Sequence, residues 1–182
     1  MMPSLLNTII ASLQVLFIFS ALTIEKEYCL GPLDPTSNGL LVKQTYDFSI
    51  KYNPLFHNRP EWIVSATCIH ANYFWIVYSL IFFMAITDGW NKTDNKMYTL
   101  LRQVIVPTLL GCKLNAILFY HYMEFTSDTP PPNLIAYFSA EGSYLISIGL
   151  VYYKLFTSAT TIATATTTVS ASSSAASNAK QE

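Results

Sequence analysis

The chain has 182 residues, of which 52% are hydrophobic and only 12% charged, and its net charge is −1. A soluble domain carries roughly 25% charged residues, and a nucleic-acid binder shows clustered lysine and arginine; this composition speaks against both. The length fits one domain.

Four runs are apolar enough to cross a bilayer, which takes about 20 residues at 1.5 Å rise each. The first, residues 5–24, carries no charge. A signal peptide would need a basic start and a small-x-small cleavage site, and neither Met1-Met2-Pro3-Ser4 nor Phe19-Ser20-Ala21 supplies one. The run is therefore expected to remain as a span. Residues 25–61 read as a long loop rich in Tyr, Pro, Asn and charge, in which 40–52 are expected to form a short interfacial helix. The second span, 62–86, has His70 as its ionisable group besides Cys68 and the tyrosines. The third, 97–122, must accommodate Arg102 and Lys113; the fourth, 133–156, holds Glu141, with Lys154 near its end. The connections 87–96 and 123–132 are short, so spans two, three and four are antiparallel neighbours in turn. Pro130-Pro131-Pro132 stops a helix from running across the last of them. From 157 to 182 the chain is mostly Ser, Thr and Ala, the composition of a disordered tail. The expected architecture is an all-α integral membrane protein: a bundle of four transmembrane helices within residues 1–156, with a long first loop and a disordered C-terminal tail.

Cys29, Cys68 and Cys112 are far apart and two of them lie inside apolar runs. Their spacing implies neither a disulfide framework nor a zinc site, and they read as small buried hydrophobes. Nothing in the pattern calls for a metal or other cofactor. Orientation is not legible from charge. Lys26, Lys43, Lys51 and Arg59 fall on one side and Lys92, Lys96, Lys154 and Lys180, with Arg102 nearby, on the other. The sequon Asn91-Lys92-Thr93 is too short a signal to assign a luminal side.

Counting at 1.5 Å per residue from the span ends puts His70 and Glu141 roughly 12 Å deep, and Lys113 and Asn115 roughly 10–14 Å deep, on the long-loop side. A lone charge near the bilayer centre costs about 2.5–3.5 kcal/mol, so Lys113 needs a partner, and Glu141 is the acid expected at its depth. This pair either holds spans three and four in register or belongs to a site. Arg102, about 20° from Lys113 on the helical wheel, is expected to snorkel to the opposite surface. Stripes of small and weakly polar residues (Thr108, Gly111, Cys112, Asn115 and Phe119 in span three; Ser65, Cys68, Asn72 and Ser79 in span two) read as packing faces.

The segment Asn53-Pro54-Leu55-Phe56-His57-Asn58-Arg59-Pro60-Glu61-Trp62 leads directly into span two. It resembles the EXPERA family, in which an acid-Pro-Leu segment precedes a Pro-x-Trp entry to the second helix; the family includes the sigma-two receptor and the emopamil-binding sterol isomerase. The layout is similar to the sigma-two-like branch, and Ser143-Tyr144-Leu145-Ile146 resembles that branch's Pro-Tyr-Leu segment. The resemblance implies residence in the endoplasmic reticulum, a homodimer, and a ligand pocket with two acids. The first of these corresponds to Glu27 and the second is Asn53 here, a neutral amide; the acid usual in early span two is replaced by His70, and Glu141 is an addition.

The expectation is then a membrane-embedded protein that binds a sterol, another lipid or an amphipathic amine and serves sterol homeostasis or trafficking. Its candidate ligand-binding residues are Glu27, Asn53, His70, Trp75, Asn115, Glu141 and Tyr144, with Phe74 and Tyr137 as further aromatic walls. One alternative is a sterol double-bond isomerase using Glu141 and His70 as acid and base. The other is a structural or adaptor subunit in which the Lys113–Glu141 pair only holds the bundle together.

Overall fold

The computed structural model describes the backbone of residues 4–39, 41–93 and 95–178, and the side chains of these as far as residue 160. The first helix, α1 (Leu5–Leu22), is capped by Ser4, whose hydroxyl accepts from the Asn7 amide. The chain bends at Thr23, whose hydroxyl donates back to the Phe19 carbonyl at 2.7 Å, and resumes as α2 (Ile24–Leu30). The loop expected from residue 25 therefore starts only at Gly31. Glu25, Lys26 and Glu27 ended the apolar run, but they are good helix formers, and Glu25 finds partners inside the bundle.

The expected interfacial helix is α3 (Val42–Tyr52); Leu40, the first residue of that expectation, lies outside the described residues. It is followed by a short α4 (Pro54–Asn58), which Asn53 caps by accepting from the Phe56 amide at 3.1 Å, with Pro54 in the first turn. Arg59, in the left-handed region at φ 52°, turns the chain into the second span. Its guanidinium donates to the carbonyls of Tyr28 and Gly31 and lies 4.4 Å over the Tyr28 ring, tying this cap to the end of α2.

Three long helices complete the bundle: α5 (Glu61–Ile86), α6 (Lys96–Thr126) and α7 (Leu134–Asn178). Asn95 and Asn133 cap the last two through their side chains, at 2.8 Å to the Met97 amide and 3.1 Å to the Ala136 amide. The membrane-crossing stretches are Leu5–Leu30, Glu61–Ile86, Lys96–Thr126 and Leu134–Thr160, and there is no strand among the described residues. The tail read from residue 157 begins inside α7, whose backbone continues to Asn178; residues 179–182 lie outside the described residues.

Packing divides the bundle into two apolar bodies. On the side of the chain ends, α1 runs along the second half of α5. There Ile10, Val77, Ile81, Met84, Val106, Leu110, Ile148 and Val151 make a core drawn from all four spans. Under the long loop, Tyr28, Leu33, Val42 and Ile63 form a second cluster against Phe56, Trp62 and Tyr120. Large apolar side chains such as Leu16, Ile76, Val104 and Ile146 point outward, as a lipid-facing surface requires. Glu25, His70 and Lys113 lie between these two bodies along their helices.

Several expectations are corrected here. Cys29 and Cys68 are joined in a disulfide, with Cα atoms 5.1 Å apart, and are not isolated hydrophobes. A separation of 39 residues hides the pair in sequence, whereas the antiparallel run of α2 beside α5 sets them side by side. Cys112 is a free thiol on the outer face of α6, where Thr108, Asn115 and Phe119 also lie exposed, with Phe119 edge-on to Trp62. Arg102 does not snorkel: it is buried and donates to the Trp90 carbonyl at 2.7 Å, closing the connection between α5 and α6.

Candidate functional site

Four of the spans' segments bring one ionisable group each to the gap between the two apolar bodies. From α2 comes Glu25, which is buried. Its Oε2 lies 2.5 Å from His70 Nδ1 on α5, and its Oε1 accepts from Ser20 and from Tyr144 of α7, both at 3.1 Å. The other ring nitrogen of His70, Nε2, is 2.6 Å from the Tyr78 hydroxyl. That hydroxyl accepts from the ammonium of Lys113 on α6. The direction of the chain follows from the inventory of donors. Lysine has only donors, so the Tyr78 proton turns to His70 Nε2, and His70 offers its Nδ1–H to Glu25. The result is a relay, Lys113 to Tyr78 to His70 to Glu25, with an amine at one end and a carboxyl group at the other.

Aromatic rings enclose the relay. Phe17 stacks on Tyr144 at 4.4 Å and Phe74 on His70 at 4.8 Å. The Lys113 ammonium lies 3.9 Å from the centroid of Tyr78, 4.5 Å from that of Tyr144 and 5.0 Å from that of Phe17. Such faces attract a cation and stand in for part of its lost hydration. A π-helical turn at His70–Phe74 interrupts α5 at this point, and π-turns inside α-helices occur frequently at functional sites.

A second polar group lies nearer the long loop. Asn53 is buried and donates to the Tyr120 hydroxyl at 2.9 Å and toward Glu141 Oε1 at 3.5 Å. His121 Nδ1 meets the Tyr137 hydroxyl at 2.8 Å. Glu124 is wholly buried, and neither of its carboxyl oxygens has a hydrogen-bond partner; His121 Nε2 is likewise unpartnered.

Of the residues expected from sequence, the structure brings His70 and Tyr144 together in the relay and places Asn53 and Glu141 in the adjoining group. Phe74 lines the relay, whereas Tyr137 faces His121. Three expected residues lie outside this group. Glu27 is exposed, and Glu25, two positions earlier on the inner face of α2, is the acid that meets His70. Trp75 lies on the outer face, its indole N–H bonded to the Asn72 carbonyl. Asn115 is on the outer face of α6.

The expected Lys113–Glu141 ion pair is not formed either. Helix α6 runs to Thr126, so Lys113 lies about 20 Å below its end, while Glu141 is only about 10 Å below Leu134. A span ending at residue 122 would put the two in one layer, but the helix continues four residues further. Among the described residues Lys113 has instead Glu25 as its acidic counterpart, reached through Tyr78 and His70.

Sequence reasoning also passed over Tyr78, Tyr120, His121 and Glu124. Tyr78 is a tyrosine among many, but its place eight residues after His70 was a usable signal. Glu124 and His121, two ionisable groups three residues apart at the end of an apolar run, share a helix face and could have been found by extending span three. A groove of about 190 Å³, lined by Asn7, Ala11, Ser12, Val15 and Phe82 among others, lies between α1 and α5 and touches none of these groups.

No family model, curated protein or solved structure matches the chain. Fold and site together define a multi-pass, all-α membrane protein with an ionisable relay in its interior.

Proposed function

We propose that this protein binds the polar end of an amphipathic lipid, a sterol or a similar molecule bearing one hydroxyl or amine. The Glu25–His70–Tyr144 side of the relay would take that end, and the protein would not transform the ligand. One observation carries the reading: an acid, a histidine and two tyrosines converge within the membrane, inside a wall of Phe17, Phe74 and Tyr144. Binding sites for such ligands are mostly apolar with a few placed polar groups. Residence in the endoplasmic reticulum and a part in sterol homeostasis or trafficking accompany this reading through the resemblance of the Asn53–Trp62 segment, and they are proposed with it.

The test is photocrosslinking of a sterol carrying a diazirine to the full chain in nanodiscs, followed by peptide mapping. Label within α2, α5 and α7, competed by unlabelled sterol and lost in Glu25→Gln and Tyr144→Phe, supports the reading. Label spread over the lipid-facing surface and indifferent to competitor contradicts it.

A second reading, sterol double-bond isomerisation, is favoured by the 2.5 Å contact of Glu25 with His70, since a carboxylate-bound imidazole is a competent proton carrier. In that case Glu25 and His70, and not Glu141 and His70, form the acid–base pair. Double-bond migration in an unsaturated sterol by the purified protein, abolished in His70→Gln, would put catalysis first.

A further inference from the structure

Asn7 is buried near the start of α1, 1% exposed, and its side chain is only half satisfied. The amide nitrogen donates to Asp88 Oδ1 at 2.9 Å. A carboxylate only accepts, so this bond fixes which way the amide points. The Asn7 side-chain oxygen remains buried with no hydrogen-bond partner, which is costly for any acceptor taken out of water.

Asn7 also lines the groove of about 190 Å³ between α1 and α5. Residues 7, 11 and 15 follow one another along one face of α1, with 8 and 12 beside them. Ala11 and Ser12 are small and leave a trough, and Phe82 and Ile86, one turn apart on α5, wall its far side. Asn7 and Thr8 lie about 3–5 Å from the start of α1 and Val15 about 15 Å from it. The groove is thus polar toward the membrane surface and apolar toward the hydrocarbon. None of its lining residues is ionisable. The nearby Asp88 carboxylate is already engaged by Asn7, Asn91 and Lys154.

We propose that this groove seats a neutral acylglycerol, a glycerol ester with a free hydroxyl. The hydroxyl donates to Asn7 Oδ1, and one acyl chain lies along Ala11, Val15 and Phe82. Each part of that ligand answers a feature of the groove: a donor for the orphaned oxygen, no charge for an uncharged lining, and one slender chain for a narrow trough. A phosphate head would find no cation in the lining. A choline phospholipid has no donor to offer Asn7, and a fused-ring sterol is broader than the trough. The groove touches no member of the relay, so the inference stands apart from the ligand proposed there.

The test reconstitutes the full chain in phosphatidylcholine nanodiscs with a diacylglycerol carrying a diazirine in one acyl chain, and maps the label by peptide. Label is expected on residues 11–15 and 82–86, displaced by unlabelled diacylglycerol. The same lipid with its hydroxyl methylated is expected to compete about fivefold less well, the scale of one hydrogen bond. This comparison uses the unaltered chain and so does not depend on a variant folding. Ser12→Leu, which fills the trough from an exposed position, is expected to abolish the label, and Glu25→Gln, in the relay, to leave it unchanged. Absence of displaceable label, equal competition by the methylated lipid, equal competition by cholesterol, or label that survives in folded Ser12→Leu overturns the proposal.

Discussion

Glu25 and His70 meet at 2.5 Å across the boundary between the first and second spans, and the Cys29–Cys68 bond lies one turn away on the same two helices. Three further donors and acceptors, from Ser20, Tyr144 and Tyr78, close around this contact. Because the imidazole and the carboxylate satisfy each other, removing one strands the other. His70→Ala is expected to lower stability by about 1–3 kcal/mol, the cost of leaving a buried polar group, here Glu25 Oε2, without its hydrogen-bond partner. His70→Gln, which retains a donor, should cost less. Chemical denaturation in detergent micelles measures the difference, and equal effects of Ala and Gln would count against a hydrogen-bonded role for His70.

Removing the disulfide loosens the site and the fold together. Cys29→Ser is expected to cost about 2–4 kcal/mol, the usual range for closing a loop of this kind. It should also make the first span the earliest to exchange amide hydrogens. Hydrogen exchange with mass spectrometry on the reduced and oxidised protein checks this. Unchanged protection of residues 24–30 after reduction would show that packing alone holds α2.

Lys113 gives a sharper discrimination, because it has no carboxylate as its direct partner. Lys113→Met removes a buried charge and leaves Tyr78 still bonded to His70, so it is expected to change stability by about 1 kcal/mol or less, in either direction. A direct Lys113–Glu141 pair would behave otherwise: the single change would be severe and Glu141→Leu would rescue it. Thermal melts of the two single variants and the double variant decide between these patterns.

Glu124 is wholly buried, and neither of its carboxyl oxygens has a hydrogen-bond partner. An unsatisfied buried polar group typically costs about 1–3 kcal/mol. Glu124→Leu is therefore expected to raise the melting temperature. A fall would show that the carboxyl makes an interaction in the membrane that stabilises the fold.

The architecture was legible in the sequence because hydrocarbon imposes a simple rule, about 20 apolar residues per crossing. The four spans, the short later connections and the helix at 42–52 all follow from it. What composition could not show was where helices continue past their apolar stretch. Glu25 to Leu30 extends span one and Met123 to Thr126 extends span three. These extra turns shifted the depth count, paired Lys113 with the wrong acid and hid the acid of the site. His70 was singled out because a lone histidine in a span is conspicuous. Its partners were not, since Glu25 reads as loop and Tyr78 as one more aromatic. The disulfide was invisible for the same reason: its two cysteines meet only because α2 continues beside α5.

The most direct test of the central claim is competitive photocrosslinking of the diazirine sterol to the wild-type chain and to Glu25→Gln, both verified as folded. The account predicts saturable labelling beside His70 and Tyr144 in the wild type, reduced at least tenfold in the variant. Equal labelling of the two proteins, or labelling confined to the outer faces of α5 and α6, would contradict it.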